Sequence, residues 1–128
     1  MKKVSVFILL ALFLTACHES LEDRCEREAK EYTAKHCPSK LDKNIRIDSL
    51  IFERATHTIH YYYTLTDFAD QEGVMQTVDA VSLIKEELKN TPSMRVYKEN
   101  KYNFRYTYHS EKDPKKVWFD ITLTDKDY

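Results

Sequence analysis

Three stretches of this chain alternate apolar and polar residues with a period of two, and that pattern narrows the folds open to it more than any other feature. In Thr58 to Leu65, Ile59, Tyr61, Tyr63 and Leu65 point one way, while Thr58, His60, Tyr62 and Thr64 point the other. Tyr102, Phe104, Tyr106 and Tyr108 alternate with Asn103, Arg105, Thr107 and His109. Val117, Phe119, Ile121 and Leu123 alternate with Lys116, Trp118, Asp120 and Thr122. Successive strand side chains leave on opposite faces, so each run describes a strand with one buried and one wet face. Strands of that kind belong to antiparallel sheets covered on one side.

A partner for the first run lies just before it. Asn44 to Phe52 alternates in part: Ile45, Ile47 and Ile51 share a parity, with Leu50 and Phe52 on the other. The polar link Glu53 to His57 makes a hairpin of the two runs, and Ser110 to Lys115, with Asp113-Pro114, does the same for the last two. Elsewhere the period is helical. Leu21, Cys25, Ala29 and Tyr32 predict a helix over His18 to Lys35, stopped by Pro38, since the residue before a proline avoids the helical region. Val74, Val78, Val81, Ile84 and Leu88 predict a second over Asp70 to Asn90, stopped at Thr91-Pro92. Met94 to Lys98 fits a short strand or a loop. The expected fold is α+β and two-layered, in the order helix, hairpin, helix, hairpin. Its sheet would have four strands, mainly antiparallel, with both helices on one face.

Gly73 is the sole glycine. Phosphate loops, dinucleotide fingerprints and nucleophile elbows need two or more glycines at fixed spacing, so none is present in its usual form. Charges of both signs are interspersed, 20 Lys and Arg against 21 Asp and Glu. A nucleic-acid binder would show a basic stripe, so none is expected as a partner.

The first sixteen residues address the chain. Lys2 and Lys3 precede an uncharged, mostly apolar run from Val4 to Leu14. A membrane helix needs about 20 apolar residues, so this run is too short to span and has the shape of a secretory signal. It closes on Leu14-Thr15-Ala16-Cys17, which resembles the lipobox of bacterial lipoproteins at every position. The resemblance implies a signal peptide over 1–16, cleavage before Cys17, and a thioether-linked diacylglycerol on that cysteine. It implies a single small lipid-anchored domain over 17–128. Two or more acyl chains, at ~0.8 kcal/mol per buried methylene, hold a protein stably on a membrane. His18 after the cysteine, rather than an aspartate, resembles the outer-membrane-sorted pattern of some Gram-negative lipoproteins, which places the domain in the periplasm. Glu31-Tyr32-Thr33 through Cys37-Pro38, Leu41-Asp42 and His60-Tyr61-Tyr62-Tyr63-Thr64-Leu65 resemble small envelope lipoproteins of Gram-negative anaerobes. That likeness covers roughly the first half of the mature domain and implies an envelope location and no catalytic residue.

Cys25 and Cys37 remain in a compartment that permits disulfides. One unbroken helix would hold them about 18 Å apart, whereas a bridge needs Cα atoms within roughly 7 Å. Two separate thiols are expected unless the helix ends early and the chain folds back.

No HExxH, Cys-x-x-Cys or tight His/carboxylate cluster is present, and the serines sit in no catalytic motif. No metal, cofactor or enzymatic activity is expected, and the histidines read as solvated surface side chains. The polar parity of the strands is more informative. It gathers Tyr62, Arg105 and Trp118, residue types that dominate binding hot spots, with His60 and His109 beside them. Such a face can take a protein, peptide or glycan. It can equally be an amphipathic cover for the outer sheet, its side chains helping to pair the strands. The expected function is a membrane-tethered, non-catalytic binding or adaptor module of the envelope. A periplasmic inhibitor or immunity protein that blocks an enzyme is the alternative.

Overall fold

A computed structural model describes residues 19–128. The leader, Cys17 and the expected helix start at His18 lie outside the described residues. The first helix, α1 (Leu21–His36), starts where Ser20 caps it by accepting the Asp23 N–H at 3.0 Å. Glu22 and Asp23 in its first turn and Lys35 and His36 in its last suit the helix dipole. Five strands come after it, β1 (Ser39–Asp42), β2 (Ile45–Glu53), β3 (Thr58–Leu65), β4 (Asn103–Ser110) and β5 (Val117–Leu123). Two helices, α2 (Ala80–Lys89) and α3 (Arg95–Glu99), lie in the crossover between β3 and β4. No helix among the described residues is long and apolar enough to cross a membrane.

The α+β class is as expected, but the sheet has five strands, and it is mixed. Its order is β1-β2-β3-β4-β5, with antiparallel pairs at both sides and a parallel pair, β3 with β4, in the middle. The extra strand β1 folds back along β2 after a turn in which Asp42 accepts the Asn44 N–H at 2.6 Å. All four β1 residues are exposed, so they carry no alternation that could mark them.

A bulge resolves the mixed parity of β2. Ile47 pairs with Tyr63 but Ser49 pairs with Tyr62, leaving Asp48 as the extra residue. One inserted residue sends every later side chain of the strand to the opposite face. Ile45, Ile47, Leu50 and Phe52 thereby share the helix side, and Ile51 turns outward. A second bulge, at Trp118, shifts the β4–β5 register between Phe119 and Val117.

The second helix is shorter than its stripe of valines. Gly73 takes a left-handed backbone (φ +85°), and single turns of 3₁₀ helix precede the Asp79 cap, which accepts the Ser82 N–H at 3.2 Å. Val78 is left exposed outside the helix. Met94 to Lys98, expected as strand or loop, lies in a 3₁₀ turn and α3, which buries Tyr97.

The core lies between the sheet and the helices. Cys25, Ala29, Ile84, Leu88 and Tyr97 from the helices meet Ile59, Tyr63, Phe104, Tyr106 and Leu123 from the strands. Complete burial of a side chain such as Phe104 contributes about 2–3 kcal/mol. In the parallel seam, register brings Tyr61 over Tyr106 at 4.8 Å and Tyr63 over Tyr108 at 4.6 Å between ring centres. Tyr97 donates its hydroxyl to Glu28 at 2.7 Å, tying α3 to α1.

Candidate functional site

On the sheet face away from the helices, the strand register gathers four of the five residues expected there. His60, Tyr62, Arg105 and His109 lie on β3 and β4, and Tyr62 stacks on His60 with ring centres 3.9 Å apart. His109 lies parallel to the other side of Tyr62, at 6.2 Å. Tyr62 thus separates the two imidazoles, and no group of three metal-ligating side chains occurs among the described residues.

His60 does not face water as its parity implies: it is 3% exposed. Neighbouring side chains roof it, and its Nε2 lies 2.7 Å from the Thr107 hydroxyl. Glu53 stands 3.4 Å from Nδ1, at the limit of hydrogen-bond reach. Burial holds the imidazole below its ordinary pKa, against the upward pull of Glu53. Arg105 forms a fork with Asp120, at 3.0 and 2.7 Å, and this keeps the Asp120 carboxyl below the usual carboxylate range.

Trp118 is committed elsewhere. Its indole N–H donates to Asp70 of the crossover at 2.8 Å, and the Lys116 ammonium sits 4.0 Å above its ring. Asp70 also accepts the Lys112 N–H at 3.0 Å. Burial pushes this carboxyl up, but the bonds from Ser110, Lys112 and Trp118 prevail and hold it low. Trp118 therefore fastens β5 to the crossover.

Sequence reasoning missed a second surface. At the Leu65 end of the sheet, a cavity of about 470 Å³ opens between the β1–β2 turn and the crossover with its helix α2. Leu65, Ile84 and Tyr108 contribute to it from the core, and Phe68, Val78 and Leu83 stand at its mouth, 65%, 44% and 58% exposed. These are three of the six large apolar side chains that the described residues leave exposed, gathered at one place. The signal was obscured because Val78 fits a helical core stripe and Phe68 stands alone in a polar run.

The described thiols differ in exposure. Cys25 and Cys37 are both free, and burial pushes Cys25 up to about 12.

A family model described as a domain of unknown function (DUF8479) matches residues 20–119. The chain belongs to this family. The DUF8479 match runs from the α1 cap into β5 and so takes in both surfaces. Three solved structures share the fold. A Pseudomonas aeruginosa protein described as secreted is 12% identical with a TM-score of 0.70, the match covering 86% of this chain and 98% of that one. The type II secretion pilotin EpsS of Vibrio vulnificus is 11% identical, TM-score 0.64, covering 84% and 90%. The pilotin AspS of Vibrio cholerae is 14% identical, TM-score 0.57, covering 84% and 92%. No curated protein matches the chain by sequence.

Proposed function

We propose that this DUF8479 domain is a lipid-anchored, non-catalytic adaptor of the bacterial envelope, held to the periplasmic side of the outer membrane through Cys17. The observation that carries the reading is the fold shared with two type II secretion pilotins over 84% of the chain. The lipobox-like Leu14-Thr15-Ala16-Cys17 supports the anchor, because only two residues separate Cys17 from the Ser20 cap of the folded domain. Binding is the activity that the open sheet face and the apolar cavity support. On this reading the open sheet face, through Tyr62, Arg105 and His109, contacts a protein partner.

Metabolic labelling with an alkyne palmitate, followed by membrane fractionation, tests the anchor. Wild-type chain is expected to carry label and sediment with outer membrane, and Cys17→Ser to lose both. An unlabelled wild-type chain overturns the anchored reading. In-cell crosslinking tests the face: a folded Tyr62→Ala, Arg105→Ala variant that captures its partner as well as wild type removes the face from the proposal. A degradative or toxin-like enzyme as the crosslinked partner would replace the adaptor reading with that of an inhibitor.

A further inference from the structure

The cavity at the Leu65 end of the sheet lies far from the anchored end of the domain. Arg54, in the β2–β3 turn, reaches Asp23 at 2.6 Å and Glu26 at 2.9 Å, so the first turns of α1 sit at the Thr58 end of β3. Strand β3 runs from there to the cavity over eight residues, about 23 Å at the usual rise. A chain tethered just before Ser20 therefore presents Phe68, Val78 and Leu83 away from the membrane.

The charge around that apolar mouth leans acidic. From Thr66 to Lys89, the segment that forms most of it, there are six acidic residues and two basic ones; Asp70 is bonded within the fold and Glu72 pairs with Lys116, which leaves Asp67, Asp79, Glu86 and Glu87. Asp42 and Glu87 stand in the lining itself, where there is no lysine or arginine; Asp67, Asp79 and Glu86 adjoin lining residues, as do Lys43, Arg46 and Lys85, of which Arg46 pairs with Asp48 and Lys85 with Asp127. The chain as a whole is nearly balanced, so this is a local field.

We propose that this cup is a docking site for an amphipathic peptide segment of a protein partner, with apolar residues entering the cavity and lysines or arginines meeting the acidic rim. The inference rests on the adaptor reading above and adds to it a second surface and the chemistry of its partner. The rim disfavours the other occupants. A fatty acid or anionic headgroup would bring negative charge to carboxylates, and a second copy packed symmetrically would set two acidic rims against each other. A volume of about 470 Å³ admits several apolar side chains, and the exposed rings and branches outside it extend the contact beyond one small ligand.

The test uses the full chain carrying Cys17→Ser, so that no lipid competes for the cup. Fluorescence anisotropy tracks a labelled amphipathic helix of leucines and lysines, a leucine–glutamate counterpart, and a fluorescent palmitate. The Leu/Lys peptide is expected to bind, with the Leu/Glu peptide at least about tenfold weaker. Leu83→Glu adds a carboxylate yet is expected to weaken the Leu/Lys peptide by about tenfold, as is Phe68→Ser. Tighter binding by Leu83→Glu would show bare charge attraction and overturn the proposal. So would equal binding of both peptides, binding of palmitate alone, or Leu83-dependent self-association in sedimentation. None of these outcomes touches the palmitate-labelling result at Cys17, so failure of the cup and failure of the anchor are read separately.

Discussion

The hydroxyl of Thr33 in α1 both accepts the Leu50 N–H and donates to the Leu50 C=O, each at 2.9 Å. It does so on the stretch of β2 that β1 does not reach, since β1 pairs only with Ile45 to Ile47. A side chain there takes the place of a neighbouring strand and closes a sheet edge that would otherwise invite pairing. Thr33→Val keeps the shape and removes both bonds, leaving the Leu50 groups without that partner. The expected loss is about 1–3 kcal/mol, read as a lower urea midpoint with unchanged slope.

Trp118 and Asp70 link β5 to the crossover through a charge-assisted bond. Trp118→Phe should keep most of the ring packing and cost about 1.5–3 kcal/mol. Asp70→Ala should cost more, because the Lys112 N–H loses its acceptor as well. Chemical denaturation of the two variants against wild type checks the order.

His60 makes stability depend on pH. Burial lowers its folded-state pKa below the unfolded value of about 6.5. Below that value the unfolded chain binds the proton more readily, so stability falls as pH drops from about 6.5 toward the folded pKa. The carboxylates held low, Asp70 and Asp120 among them, act in a separate window, losing their contribution only as pH falls below the usual carboxylate range. His60→Gln should flatten the melting-temperature profile just below about pH 6.5 and leave the more acidic limb in place.

The two free thiols should be distinguishable by alkylation. Cys25 is buried, with its thiol pushed up to about 12, whereas Cys37 is partly exposed. Iodoacetamide on the native protein is expected to label Cys37 and spare Cys25, with identical labelling after reductant. Peptide mass mapping checks both statements.

Local pattern carried the strands and helices whose two faces differ, such as β3, β4 and α1. It could not carry β1, whose four residues are all wet, nor the crossing of faces at Asp48, which needs the partner strand before the extra residue can be recognised. The parallel seam between β3 and β4 was hidden for a related reason: alternation tells which side of a strand is buried, and nothing about which strand lies beside it. For the candidate face, parity placed Tyr62, Arg105 and His109 together, yet it could not foresee that His60 would be roofed or that Trp118 would turn to Asp70. The cup was invisible because Val78 continues a helical spacing that Gly73 and Asp79 prevent from becoming one helix.

The parallel seam also orders the birth of the molecule. Each outer pair joins residues close in the chain, but two-stranded ribbons are marginal in water on their own. Thr58 meets Asn103 only after residues 66–102 have been laid across the sheet, and closing so long a loop is slow. The tyrosines stacked at the centre therefore stand across the sheet's one long-range seam, and their stacking waits on the closure of that loop.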